Sequence, residues 1–181
     1  MRHVFTLMAL MLVVSASVEA QTSVTLTTTV SETVTLSVPP AFTEKNVEVV
    51  SSGPNTVHLT LSGNDVGAPI IRVPLLVRSN SSFKISASFE STTAELSQLF
   101  VSDSHATGTL VSPQVLNALN VRQETDPDVS RPWLVLSGPR VSLGGTLNSP
   151  NNALHVTLVI ALKPQPARDW MAQLTLVATP E

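Results

Sequence analysis

Histidines, clustered carboxylates and tryptophans are the residues of this chain whose types could do chemistry. His58 and His155 hold equivalent places in two matching stretches, Asn55-Thr-Val-His-Leu-Thr-Leu61 and Asn152-Ala-Leu-His-Val-Thr-Leu158. Each alternates with aliphatic neighbours, so each points to the opposite face of its strand. If the two strands lie side by side, the imidazoles become cross-strand neighbours. A metal there needs a third ligand, and partners that fix the rings. His105 and scattered carboxylates exist, but no spacing ties them to the pair. The expectation is solvated sheet-face histidines and no metal site.

Glu124, Asp126 and Asp128 place three carboxylates at alternate positions. Calcium favours hard oxygen clusters of this kind. The run lacks the glycine of a sharp calcium turn and the closing acid at the twelfth position. It reads as an acidic, proline-stiffened surface loop.

Nucleophilic catalysis needs a nucleophile, a base and an orienting acid. Serines abound, but no Gly-x-Ser-x-Gly elbow occurs, and Gly138-Pro-Arg-Val-Ser142-Leu-Gly144 has the wrong spacing. No pair of carboxylates points to glycoside hydrolysis. Gly144-Gly145 reads as a turn, not as a phosphate cradle. Asn80-Ser-Ser82 matches a glycosylation sequon, which matters only on a eukaryotic secretory route. Trp133 and Trp170 offer flat faces to sugars, but in a chain with 4% aromatic residues they serve first as core anchors. No catalytic, cofactor-binding or metal-binding residue is assigned, no cofactor is expected, and the chain reads as a non-enzyme.

The elements that must hold these residues are strands. The chain has 181 residues, 43% hydrophobic and 13% charged, with no cysteine. That composition excludes a disordered chain, a disulfide scaffold and thiol chemistry. Thr and Val, branched at Cβ, dominate the sequence after residue 20 and suit a pleated surface. Ser23 to Val38 alternates strictly. Val24, Leu26, Val30, Val34, Leu36 and Val38 share one face, and a row of Ser and Thr fills the other. Its length implies a bend near Ser31-Glu32, and Pro39-Pro40 ends it. Further strands are expected at Asn46–Ser51, Thr56–Ser62, Pro69–Arg78, Phe83–Phe89, Trp133–Ser137, Asn152–Lys163 and Trp170–Ala178. Pro74 marks its strand as an edge or a bulge.

The interval Glu90 to Arg131 carries no clear alternation. Ser112-Pro113 reads as a helix cap followed by proline at the first helical position, with Val115, Leu116 and Leu119 on one face. A long excursion with a short helix is expected there. The whole describes an all-β chain: a single immunoglobulin-like or related β-sandwich of about nine strands spanning residues 21–181.

Residues 1–20 have the layout of a secretory signal: a basic start, an apolar run from Val4 to Val14, and small residues at Val18 and Ala20 before Gln21. The run is too short to span a membrane, and no second run of spanning length follows. The mature chain is expected outside the cytoplasm: secreted, periplasmic or at the cell surface, with a bacterial source favoured by the lack of cysteine. Its acidic balance gives no reason to expect nucleic acid.

The arrangement of signal, Thr-rich first strand, cysteine-free sandwich and C-terminal strand loosely resembles bacterial pilins and spore-coat-like surface proteins. Chaperone–usher pilins usually carry a disulfide, and this chain departs from them there. The expected function is that of an exported structural or adhesive component. The expected partner is another copy or another surface protein, engaged through the N-terminal strand. Two alternatives are a carbohydrate or small-ligand module built on Trp133 or Trp170, and a secreted hydrolase using His105 with a carboxylate.

Overall fold

Alternating apolar and hydroxyl side chains build strands that bury one face. The computed structural model describes residues 31–64, 67–107, 114–141, 152–164 and 169–181, with the backbone alone at Ser51 and Ser52. Among the described residues there are eleven strands and one helical turn. They are β1 (Val34–Ser37), β2 (Val47–Gly53), β3 (Thr56–Gly63), β4 (Ile70–Ser79), β5 (Phe83–Ser91), β6 (Leu96–Thr107), α1 (Gln114–Asn117), β7 (Asn120–Val121), β8 (Glu124–Thr125), β9 (Trp133–Gly138), β10 (Ala153–Leu162) and β11 (Trp170–Pro180). The expectations at residues 1–20, at Ser112-Pro113 and at Gly144-Gly145 lie outside the described residues.

Two antiparallel sheets pack against each other, so the chain forms the expected all-β sandwich. One sheet runs β1-β4-β10-β6-β8 and the other β2-β3-β11-β5-β9-β7. Among the described residues, only β2 and β3 form a hairpin of consecutive neighbours. From β3 onward each strand crosses to the opposite sheet. The central eight strands therefore read β3-β11-β5-β9 over β4-β10-β6-β8. That is the strand order of a jelly roll, related to the immunoglobulin-like arrangement in architecture but not in order.

The core lies between the sheets. Val57, Leu59 and Leu61 of β3 are buried, as are Leu154, Val156 and Leu158 of β10, with Leu174 and Leu176 of β11 beside them. The parity expected from the two matching stretches is the observed one. α1 places Val115 into this core, and Leu116 and Leu119 pack at its margin.

Two places depart from the pattern, each for a physical reason. Within the expected excursion runs β6, a twelve-residue strand paired with β10. The register between them shifts at Thr157/Leu158 and again at Ala161/Leu162. Such irregularities reset which parity faces inward. Leu96 and Leu99, of opposite parity, are both buried, and the alternation that reveals other strands is erased. Pro74 stands opposite Thr157 in a strand flanked on both sides, by β1 and β10. However, β1 pairs only with Leu76–Ser79, so β4 is a local edge at Pro74.

No helix among the described residues is long and apolar enough to cross a membrane.

Candidate functional site

The histidines are distributed differently from the expectation. His58 on β3 and His155 on β10 belong to different sheets, so they are not cross-strand neighbours. His58 sits opposite Thr175, and its Nδ1 lies 2.8 Å from the Thr175 hydroxyl. The true neighbour of His155 is His105, its register partner on β6. Their rings stack with centroids 4.7 Å apart and planes 18° apart. Thr107 Oγ1 lies 2.8 Å from His155 Nε2, and Asp103 Oδ2 lies 3.9 Å from His105 Nδ1. Burial, then the charges of His105 and Arg78, hold the His155 imidazole below its ordinary pKa.

Stacked rings carry their nitrogen lone pairs in nearly parallel planes, so they do not converge on one ion. Among the described residues no three His, Asp or Glu side chains form a metal-sized cluster. His105 and Asp103 are 60% and 68% exposed, on a sheet surface rather than in the deep pocket a hydrolase would favour.

The acidic run resolves into local pairs. Asp126, at a positive φ of 49°, donates its N–H to the Ser97 carbonyl and its carboxylate meets Lys163 at 3.1 Å. Lys163 also reaches Glu95 at 3.2 Å. These two carboxylates raise the Lys163 pKa. Asp128 accepts from the Ser130 hydroxyl at 2.6 Å and from its N–H at 3.1 Å, which lowers its pKa. Glu124 is drawn into β8 opposite Leu99. The three acids do not face a common point.

Neither tryptophan presents a platform. Trp170 is 2% exposed and Trp133 is half-buried against the core. Trp170 lies over Gly63, whose missing Cβ leaves room for the indole. An added Cβ would stand 2.6 Å from the ring Cζ2. The same residues wall an open cleft of about 630 Å³ with Asn46, Asn64, Thr93 and Met171.

Asn80, read from sequence as a sequon, has a structural use. Its Oδ1 accepts from the Thr33 N–H at 2.7 Å, and its Nδ2 donates to the Ser31 carbonyl at 2.9 Å. Its own N–H donates to the Thr33 carbonyl. The signal for this role is Asn at a strand end before a Ser-rich turn, which becomes legible only once β1 is placed beside β4.

No known protein family, curated protein or solved structure matches this chain. Its own surfaces carry what bears on its role.

The N-terminal end of β1 is one such surface. Val34 pairs with Ser79, the last residue of β4, and Val34 and Leu36 are buried. Moving toward the N-terminus, Thr33 and Ser31 are already held by Asn80 in the turn beyond β4. The second surface is β2, which ends its sheet. Val47 and Val49 are half-buried there against the margin of the core, while Glu48 and Val50 face solvent.

Proposed function

We propose that this chain is an exported, non-enzymatic structural protein whose copies join through the segment preceding β1. The observation that carries the reading is the register of β1. At Val34 the chain has reached the end of β4, and at Ser31 it has passed it. Yet the sequence keeps its strand pattern for eight more residues toward the N-terminus, with Val24, Leu26 and Val30 on one parity and Ser and Thr on the other. A sequence alternation that continues beyond the residue at which β4 ends can supply main-chain hydrogen bonds and an apolar face to another sheet. Val34–Ser37 pairs within its own sheet, so donation is confined to the residues before Ser31. The signal-like sequence of residues 1–20 supports assembly outside the cytoplasm.

The test compares the chain Gln21–Glu181 with one beginning at Ser31, by size-exclusion chromatography with light scattering. The longer chain should form oligomers that grow with concentration. The shorter keeps β1 and should remain a folded monomer. A Gln21–Glu181 chain that stays monomeric at high concentration would overturn the proposal.

A further inference from the structure

The same assembly needs an acceptor, and we infer that it is the open edge of β2, taking residues 22–30 of a second copy as an added strand. This inference rests on the reading above and names the surface that completes it.

β2 is the long terminal strand of its sheet. Among the described residues four strands end the two sheets: β1 has four residues, β7 and β8 have two each, and β2 has seven. Its backbone is oriented for addition. The Asn46 carbonyl accepts from Ser62 on β3, whereas the Val47 N–H turns away from β3 to the Glu44 carbonyl. Successive residues of an antiparallel strand direct their backbone groups to opposite flanks. The N–H and C=O of Val49 therefore face away from β3, where the described residues supply no partner. Exposed edges of this kind invite pairing.

The side chains beside that edge form a groove of about 480 Å³ between β2 and the stretch linking it to β1. Val38, Phe42, Val47 and Val49 line its inner side as half-buried margin of the core. Glu44 and Glu48 stand at its rim. A strand added here must turn one apolar parity inward over the valines and one polar parity outward beside Glu48. Residues 22–30 have that two-faced composition and a matching length, and they carry no charge. Pairing β2 with the β2 of another copy fits less well. It would set Glu44 and Glu48 near their own counterparts, and like charges on paired strands are unfavourable. Because donor and acceptor are different surfaces, the contact is head-to-tail and repeats from copy to copy, into a ring or an open chain according to the rotation between copies.

The absence of cysteine gives a direct test. Two single variants of the Gln21–Glu181 chain, Thr27→Cys and Glu48→Cys, are mixed and oxidised. A disulfide-linked heterodimer should form, and it should be lost when Lys84→Cys, exposed on β5, replaces Glu48→Cys. A second variant, Val49→Pro, removes an N–H that faces the open flank while leaving the β3 ladder intact. It should keep the wild-type circular dichroism spectrum and lose the oligomers. Oligomers that persist in Val49→Pro, with no Thr27–Glu48 cross-link, would overturn the β2 acceptor and leave self-assembly standing. Absence of any oligomer in the unmodified chain would remove both. A disulfide that closes only within a Thr27→Cys/Glu48→Cys double variant, with none between copies, would also overturn the inference.

Discussion

His105 and His155 lie opposite each other on β6 and β10 with their rings stacked at 4.7 Å. The pair makes protonation of His155 unfavourable, because a charged His155 would lose solvation and face His105 and Arg78. Its folded pKa is below the unfolded value, so at mildly acid pH the unfolded chain binds more protons. The stabilising contribution is present above the unfolded histidine pKa and is lost as pH falls through the folded value of His155. Thermal unfolding followed from pH 8 to pH 5 should show stability declining on the acid side, with a smaller decline in His155→Gln. An NMR titration should find His155 moving up toward the ordinary histidine value in His105→Gln.

Truncation on β3 should separate the two faces of the strand. Leu59 is 1% exposed and packs in the core, whereas His58 points outward to Thr175. Leu59→Ala should cost about 2–5 kcal/mol through lost burial and a cavity. Val156→Ala on β10 should likewise destabilise, by a smaller amount for its smaller side chain. His58→Ala should cost about 1 kcal/mol or less, the scale of a single hydrogen bond at a partly exposed site. Urea denaturation curves would measure all three, and the reverse order for His58 and Leu59 would put the register of β3 off by one residue.

Gly63→Ala should disturb Trp170 specifically. The new Cβ would lie 2.6 Å from Cζ2 and 2.9 Å from Cε2 of an indole that is itself buried. Relief requires the ring or the β3 backbone to move, an overpacking cost of about 1–3 kcal/mol. Tryptophan fluorescence should shift to longer wavelength as the indole gains solvent, and the unfolding midpoint should drop.

Lys163→Met should leave the fold nearly unchanged despite breaking two ion pairs. All three groups are substantially exposed, so water and salt screen them. The expected change is small and should shrink further in high salt, as a comparison of melting temperatures at low and high ionic strength would show.

The proposed export makes its own prediction. Signal peptidase should cut after Ala20, since Val18 and Ala20 are small enough for its recognition pockets. The intact mass of protein recovered outside the cytoplasm should correspond to a chain beginning at Gln21. A mass that retains Met1 would contradict it.

Periodicity by itself determined the sandwich and the faces of its strands. A strand with one buried side needs an apolar residue at every second position, and Val57, Leu59 and Leu61 show that need directly. The same reasoning correctly turned His58 and His155 away from the core. Strand order was decided only by the tertiary structure, because pairing joins residues far apart in the chain and alternation is the same whichever neighbour a strand takes. The order put β3 and β10 in separate sheets, parted His58 from His155 and brought His105 to His155 instead. Register irregularities were equally invisible. The shift at Ala161/Leu162 lets Leu96 and Leu99 be buried from opposite parities, and a second shift follows at Thr157/Leu158, so a twelve-residue strand carries no alternation for a sequence to display. The reach of β1 belongs to both levels. The alternation of Ser23–Val38 is written in the residues, but only the fold shows that Val34 pairs with Ser79, the last residue of β4.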